Sequence, residues 1–177
     1  MSCSKCSVEP GTHCFLPIGT LGDATVFYTS PARARSVGLE TEESLQDIRK
    51  HLDTALGRKW VLVLDCYKMK TQHQTSQEYT DKILSILSND HKDILEGMIV
   101  IHPNIWIRLF CKVLQPFYTD ELLNKLKMID GKGDVLLQKM QRIGFSEECI
   151  SNLGKIFATP IPGVADATVA SSPSLKK

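Results

Sequence analysis

One segment near the middle of the chain determines its architecture: Gly97-Met98-Ile99-Val100-Ile101-His102-Pro103-Asn104-Ile105-Trp106-Ile107-Arg108-Leu109-Phe110. The four consecutive apolar residues from Met98 to Ile101, three of them β-branched, are typical of a strand covered on both faces, as parallel strands are. Pro103 is unfavourable inside a central strand but suits the first turn of a helix. The segment therefore predicts a buried strand that turns directly into a helix.

The helix predicted from 104 to about 115 is almost entirely apolar. Its only polar side chains are spaced by four, four and three residues and form one narrow stripe: Asn104, Arg108, Lys112 and Gln115. An ordinary surface helix buries one apolar stripe against its neighbours. This helix has more apolar surface than one sheet can cover, so we expect a second partner: another segment, a bound lipid or another protein.

Alternating strands and helices extend outward from this segment in both directions. Strands are predicted at 24–28, 60–64, 98–101 and 126–129. Besides the apolar helix and a short one from 119 to 125, helices are predicted to begin near three capping residues: Thr41, Thr75 and Asp134. A last helix is predicted from Ser146 to Phe157. Alternation of this kind predicts an α/β fold with a mostly parallel four- to five-stranded sheet flanked by helices.

Three regions are predicted along the chain. Residues 1–20 contain proline and glycine without a sustained hydrophobic period, so they are predicted to be a flexible leader. Residues 21–158 form the α/β domain. Residues 159–177 are rich in proline, alanine and serine and are predicted to be a disordered tail.

Composition narrows the class of protein. The 177 residues are 42% hydrophobic and 23% charged, which suits one globular domain. A net charge of +1 argues against a nucleic-acid partner. No stretch approaches the roughly 18 apolar residues of a membrane span, and the amino terminus lacks the apolar core of a secretory signal. We therefore expect a cytoplasmic protein without a transmembrane segment.

The leader holds a cluster of metal-ligand side chains: Cys3, Cys6, His13 and Cys14. Their spacing is not that of a common zinc finger, because the last two are adjacent. A CxxC redox motif should follow a strand and open a helix, and this one does neither. We predict no metal and no cofactor, with palmitoylation of these cysteines as a minor alternative.

His102 is the residue that most suggests catalysis, because it lies at the carboxyl end of a strand. Asp65, at the end of the neighbouring strand, is the one visible carboxylate that could orient it. No Gly-x-Ser-x-Gly nucleophile motif accompanies the pair. The favoured interpretation is a histidine that bonds backbone at a strand–helix junction, so we predict no catalytic residues and no enzyme.

The order of these signals resembles a known family, the CRAL-TRIO domains, and in particular their divergent BCH-like branch. The resemblance rests on a strand that runs into His102-Pro103, an apolar helix ending at Gln115-Pro116-Phe117, and the segment from Thr119 to Ile129. It implies a CRAL-TRIO-like core. The leader is too short to supply the helical amino-terminal subdomain of the lipid-transfer members, so the core is expected to lack it.

The resemblance also implies a function. BCH-like domains mostly act as non-catalytic scaffold modules that bind small GTPases, their regulators or copies of themselves. The alternative is a minimal lipid-binding or transfer protein that holds a phospholipid or another hydrophobic ligand beside helix 104–115. The residues predicted to contact a partner or ligand are Arg33, Arg35, Trp106, Leu109, Phe110, Val113 and Phe117.

Overall fold

The computed structural model describes residues 15–34, 40–73, 75–105, 107–108 and 124–161. The strands are β1 (Leu16–Leu21), β2 (Ala24–Thr29), β3 (Trp60–Asp65), β4 (Leu95–Ile101) and β5 (Leu126–Ile129). The α-helices with defined bounds are α1 (Glu42–Asp53), α2 (Gln77–Asp90), α3 (Gly133–Ile143) and α4 (Glu147–Ala158). None of the helices in these ranges is long and apolar enough to cross a membrane.

The strands form one five-stranded sheet in the order β1-β2-β3-β4-β5. β1 is antiparallel to β2, and the remaining neighbours are parallel. Parallel strands need crossover connections, and α1 and α2 provide them between β2, β3 and β4. The predicted α/β fold with a mostly parallel sheet is therefore confirmed.

The first strand corrects the predicted boundary of the leader. Residues 16–20, assigned to a flexible leader, belong to β1, and the side chains of Phe15 and Ile18 are buried. β1 and β2 are joined by a tight turn in which Gly22 has a φ of +60°. Of the predicted tail, Ile161 is also buried, whereas residues 1–14 and 162–177 lie outside the described ranges.

Helices cover both faces of the sheet, because successive residues of a strand point to opposite sides. One apolar cluster joins the sheet to α3 and α4 through Leu136, Met140, Cys149 and Leu153. The other joins the opposite face to α1 and α2 through Leu45, Ile48, Leu52, Tyr79, Ile86 and Leu87. The helices are thus held by their apolar stripes, as the sequence predicts.

The helix ends differ from the predictions in small ways. Thr41 caps α1, as predicted, but Ser76 rather than Thr75 caps α2. Ser146, predicted only as the start of the last helix, caps α4. At α3, Asp134 lies in the first turn and is not the cap. Leu56, which follows the end of α1 at Asp53, is 51% exposed.

Most of the apolar helix predicted from 104 to 115 lies outside the described residues. The structure describes the start of this helix. The Oδ1 atom of Asn104 accepts the backbone N–H of Ile107 at 2.9 Å, and the carbonyl of Asn104 accepts the N–H of Arg108 at 3.1 Å. Asn104 is thus an N-cap. Ile107 is buried, whereas Ile105 is 71% exposed.

His91 is a buried polar residue at the end of α2. Neither ring nitrogen has a hydrogen-bond partner in the described structure, and the ring packs edge-on against Trp60 with 5.6 Å between centroids. Burial lowers the pKa of His91 and outweighs the opposing charges of Asp53 and Asp90. The residue types around His91 do not indicate its burial, because it follows the polar end of α2.

Replacing His91 by phenylalanine is expected to stabilise the protein by about 1 kcal/mol, since the aromatic contact survives and two unpartnered nitrogens are removed. In the wild type, His91 of the unfolded chain takes up a proton below about pH 6.5, whereas the pKa of the ring in the folded protein is lowered. The free energy of unfolding therefore falls as the pH drops from about 6.5 toward the lowered pKa. The variant should lose less stability over this window. Urea unfolding at neutral pH and at about pH 5.5 measures both effects. A variant that is less stable than the wild type at both pH values would contradict this account.

Candidate functional site

Three polar side chains meet at the carboxyl ends of neighbouring parallel strands. Tyr28 comes from the end of β2, Asp65 is the last residue of β3, and His102 directly follows β4. In open α/β sheets this edge is where ligands commonly bind. We name it the carboxyl edge and include in it the loop 66–70 and the segment 102–108.

Asp65 is the centre of this group, and both of its oxygens are used. Its Oδ2 atom accepts the hydroxyl of Tyr28 at 2.6 Å. Its Oδ1 atom lies 2.8 Å from Nδ1 of His102 and accepts the backbone N–H of Tyr67 at 2.9 Å. The prediction that His102 bonds backbone is therefore wrong: its partner is the carboxylate of Asp65.

The electrostatics of the group follow from its burial. Burial, and next the negative charge of Asp65, raise the pKa of Tyr28, so its hydroxyl keeps its proton and donates it to the carboxylate. A carboxylate oxygen accepts, so Nδ1 of His102 is the donor in its contact with Asp65. The Nε2 atom of the same ring makes no hydrogen bond to a described residue.

Two aromatic rings hold the imidazole of His102 in place. The ring of Tyr67 lies 5.2 Å from it, and the ring of Phe157 at the end of α4 lies 5.4 Å away. The backbone of His102 has a φ of +50°, which is uncommon outside glycine and is retained only where the surroundings enforce it. The side chain is only 9% exposed.

An aspartate–histidine pair of this geometry can orient a general base. Acyl transfer would also require a nucleophile within hydrogen-bond reach of Nε2. Cys66 is adjacent to Asp65 in sequence, but it is buried within a separate apolar cluster. Across the described ranges, no three ligand side chains are grouped so that they could hold a metal ion.

Of the residues predicted to contact a partner, the structure describes Arg33. Its side chain is buried, and its Nη1 atom donates to the carbonyl of Thr159 at 2.9 Å, which fastens the end of α4 to the loop after β2. Arg33 thus contacts the protein interior and not an exposed surface. The other predicted site residues lie outside the described ranges, so their roles stay predictions: Arg35, Trp106, Leu109, Phe110, Val113 and Phe117.

The carboxyl edge also has exposed apolar side chains that the sequence analysis did not select. Tyr67 is 38% exposed and Ile105 is 71% exposed. The two loops that carry them are joined by a bond from Nδ2 of Asn104 to the carbonyl of Met69 at 3.4 Å. Arg108, three residues after Ile105, pairs with Asp130 at 2.6 Å. The available signal for Tyr67 was its position two residues after a buried strand.

A groove of about 520 Å³ lies elsewhere, between α1 and α2. Leu45 and Ile86 supply its apolar surface, and every other lining residue is polar or charged. Ligand pockets for hydrophobic molecules are predominantly apolar. This groove therefore does not have the lining that a phospholipid tail requires.

Comparison with known proteins agrees with the geometry. The profile of one family, the divergent CRAL/TRIO domain, matches residues 23–148. The Rho GTPase-activating protein gacY of Dictyostelium discoideum is 25% identical over 84 residues, which are 48% of this chain and 12% of that relative. The chain thus aligns with a small part of a much longer protein. Because the family profile extends over well more than half of the 177 residues, this chain belongs to the divergent CRAL/TRIO domain family.

Proposed function

We propose that this domain is a non-catalytic interaction module of small-GTPase signalling, which acts in the cytoplasm and binds a protein partner at its carboxyl edge. The observation that carries the proposal is the similarity of about half of the chain to a segment of a Rho GTPase-activating protein. The aligned segment is 12% of that relative, as is expected when a domain is one module of a longer protein.

The side chains at the carboxyl edge support a binding role. Binding hot spots are centred on aromatic and large apolar anchors with polar groups around them. Here Tyr67 and Ile105 are the exposed apolar residues, and Arg108, three residues after Ile105, pairs with Asp130. A partner that covers Ile105 would also cover part of the apolar surface predicted from the sequence for the residues after it.

The internal bonds of the polar group support a non-catalytic role. Both oxygens of Asp65 are engaged by Tyr28, His102 and the backbone of Tyr67, and the imidazole lies between two aromatic rings. A network of this kind fixes the loops after β3 and β4 relative to each other. Its effect is to present the loops at the carboxyl edge in one conformation.

Binding of the purified chain to Rho-family GTPases, loaded with GDP or a GTP analogue, and to Rho GTPase-activating domains is measurable by calorimetry. We expect at least one of these proteins to bind, and Ile105→Asp to weaken binding at least tenfold, or about 1.4 kcal/mol. Leu56→Asp is the matched control, because Leu56 is also an exposed apolar residue, at 51% against 71% for Ile105, but follows α1 at another part of the surface. Equal losses in both variants, or no binding by the wild type, would reject the proposal. Sedimentation velocity of the same sample tests whether a second copy of the chain is the partner.

Lipid binding is the second candidate, and membership of a CRAL/TRIO family favours it. Native mass spectrometry of the purified chain separates the two. A co-purified phospholipid in stoichiometric amount would favour a lipid carrier, and a mass equal to that of the chain alone would favour the interaction module.

A further inference from the structure

Helix α3 presents an unusual exposed face. Leu136 and Met140 anchor the helix to the sheet and are fully buried. Beside this buried stripe, Val135 is 58% exposed and Ile143 is 49% exposed. At about 100° per residue, Ile143 lies about 20° from Leu136 around the helix and Val135 about 100° from it. Both are therefore large apolar side chains in water at the two ends of one helix.

Three cations share this side of the helix. At about 100° per residue, Lys132, Lys139 and Arg142 lie with Val135 and Ile143 within an arc of about 100°. We name these five residues the basic face of α3. Lys139 donates to the backbone carbonyl of Asp130 at 2.6 Å, and none of the three cations pairs with a carboxylate in the described structure. Asp134 lies on another side of the helix, and Glu147 and Glu148 belong to the first turn of α4.

We infer that the basic face of α3 binds an anionic lipid surface. A surface that combines cations with apolar side chains has both contributions that hold a helix at a membrane interface: attraction to anionic headgroups and burial of apolar area below them. The proposal differs from the one for the carboxyl edge in its residues and in its class of partner, although Lys139 contacts the backbone of Asp130, which pairs with Arg108 at that edge.

The spacing of the apolar residues favours a lipid surface over a protein groove. A helix that docks in a protein groove uses anchors at i, i+3, i+4 and i+7. Here the two anchors are eight residues apart, which is about 12 Å along the helix, with cations between them. A lipid interface accepts such a pattern, since each apolar side chain inserts independently and long basic side chains reach the headgroups.

Sedimentation with phosphatidylcholine vesicles, with and without phosphatidylserine, tests the inference on the whole chain. The wild type should bind only the vesicles that contain phosphatidylserine, and more weakly as salt is raised. The charge-reversed variant K139E/R142E should bind them at least tenfold more weakly. All variants are first compared with the wild type by circular dichroism and urea midpoint, so that a loss of folding is recognised.

A separate pair of variants tests how much the apolar side chains of the basic face contribute to vesicle binding. Val135→Asp should weaken vesicle binding several-fold, whereas Leu56→Asp, on the side of the sheet that α1 covers, should leave it unchanged. Ile105→Asp should also leave it unchanged, so failure of the GTPase experiment and failure of this one are distinguishable.

Four results would overturn the inference: no binding of the wild type to either vesicle, equal binding to both, no loss in K139E/R142E, or an equal loss in Leu56→Asp. The first would leave an acidic protein or a second copy as the occupant of the face. Equal binding to both vesicles would point to a lipid held inside the domain.

Discussion

Replacing Asp65 by alanine is expected to lower the free energy of unfolding by about 3–5 kcal/mol, the usual effect of removing one partner from a buried polar or ionic group. Asp65 is buried and accepts from three donors, so its removal leaves the hydroxyl of Tyr28, Nδ1 of His102 and the N–H of Tyr67 without their acceptor. Buried donors that lose their partners keep the full desolvation cost. Urea unfolding followed by circular dichroism measures the change.

Asp65→Asn is the matched control for this prediction. Its carbonyl oxygen can still accept from His102 and Tyr67, but its amide must face the hydroxyl of Tyr28, so we expect a loss of about 1–3 kcal/mol. Tyr28→Phe removes one donor and should produce an effect of similar size. If Asp65→Ala costs less than about 1 kcal/mol, the three contacts are not a coupled network.

The sequence predicted the central strands well because their composition leaves few alternatives. The run from Trp60 to Leu64 is continuously apolar and has the length of a strand, so only a position covered on both faces suits it. The strand 98–101 is defined in the same way, and the proline after it marks its end. These patterns also predicted that the strands are mostly parallel, because a helix is predicted between each strand and the next.

The polar group at the carboxyl edge was predicted only in part. Asp65 and His102 were recognised at neighbouring strand ends, but which atom His102 bonds depends on its φ of +50°, which the residue types do not encode. Tyr28 was assigned only to a strand. Its role follows from the parallel register, in which Tyr28 pairs with Val63, two residues before Asp65 on the same side of the sheet.

The first strand was missed because its residues are those of a loop. Pro17 cannot donate to a sheet, and Gly19 weakens a strand, so together they predicted a leader. In the structure β1 is an edge strand, where a proline is tolerated, and the register shifts between Pro17 and Gly19 at a bulge. The outer side of β1 is covered by α4, where Asn152 donates to the carbonyl of Ile18 at 3.0 Å.

The close packing of β1 against α4 depends on Gly19. A Cβ atom at Gly19 would lie 2.7 Å from the backbone nitrogen of Cys149, in the first turn of α4. That nitrogen cannot move freely, because it donates to the Ser146 cap at 3.2 Å. Gly19 also has a φ of +145°, which L-residues rarely adopt.

Gly19→Ala is therefore expected to destabilise the protein by about 3 kcal/mol or more, from backbone strain together with separation of β1 from α4. Gly97→Ala is the control, because the nearest atom to its Cβ would be 3.6 Å away, an ordinary contact, and it should change stability by less than about 1 kcal/mol. Urea unfolding of both variants decides between two descriptions of residues 15–20. A flexible leader would tolerate alanine at position 19 without a change in stability, whereas a strand held against α4 cannot.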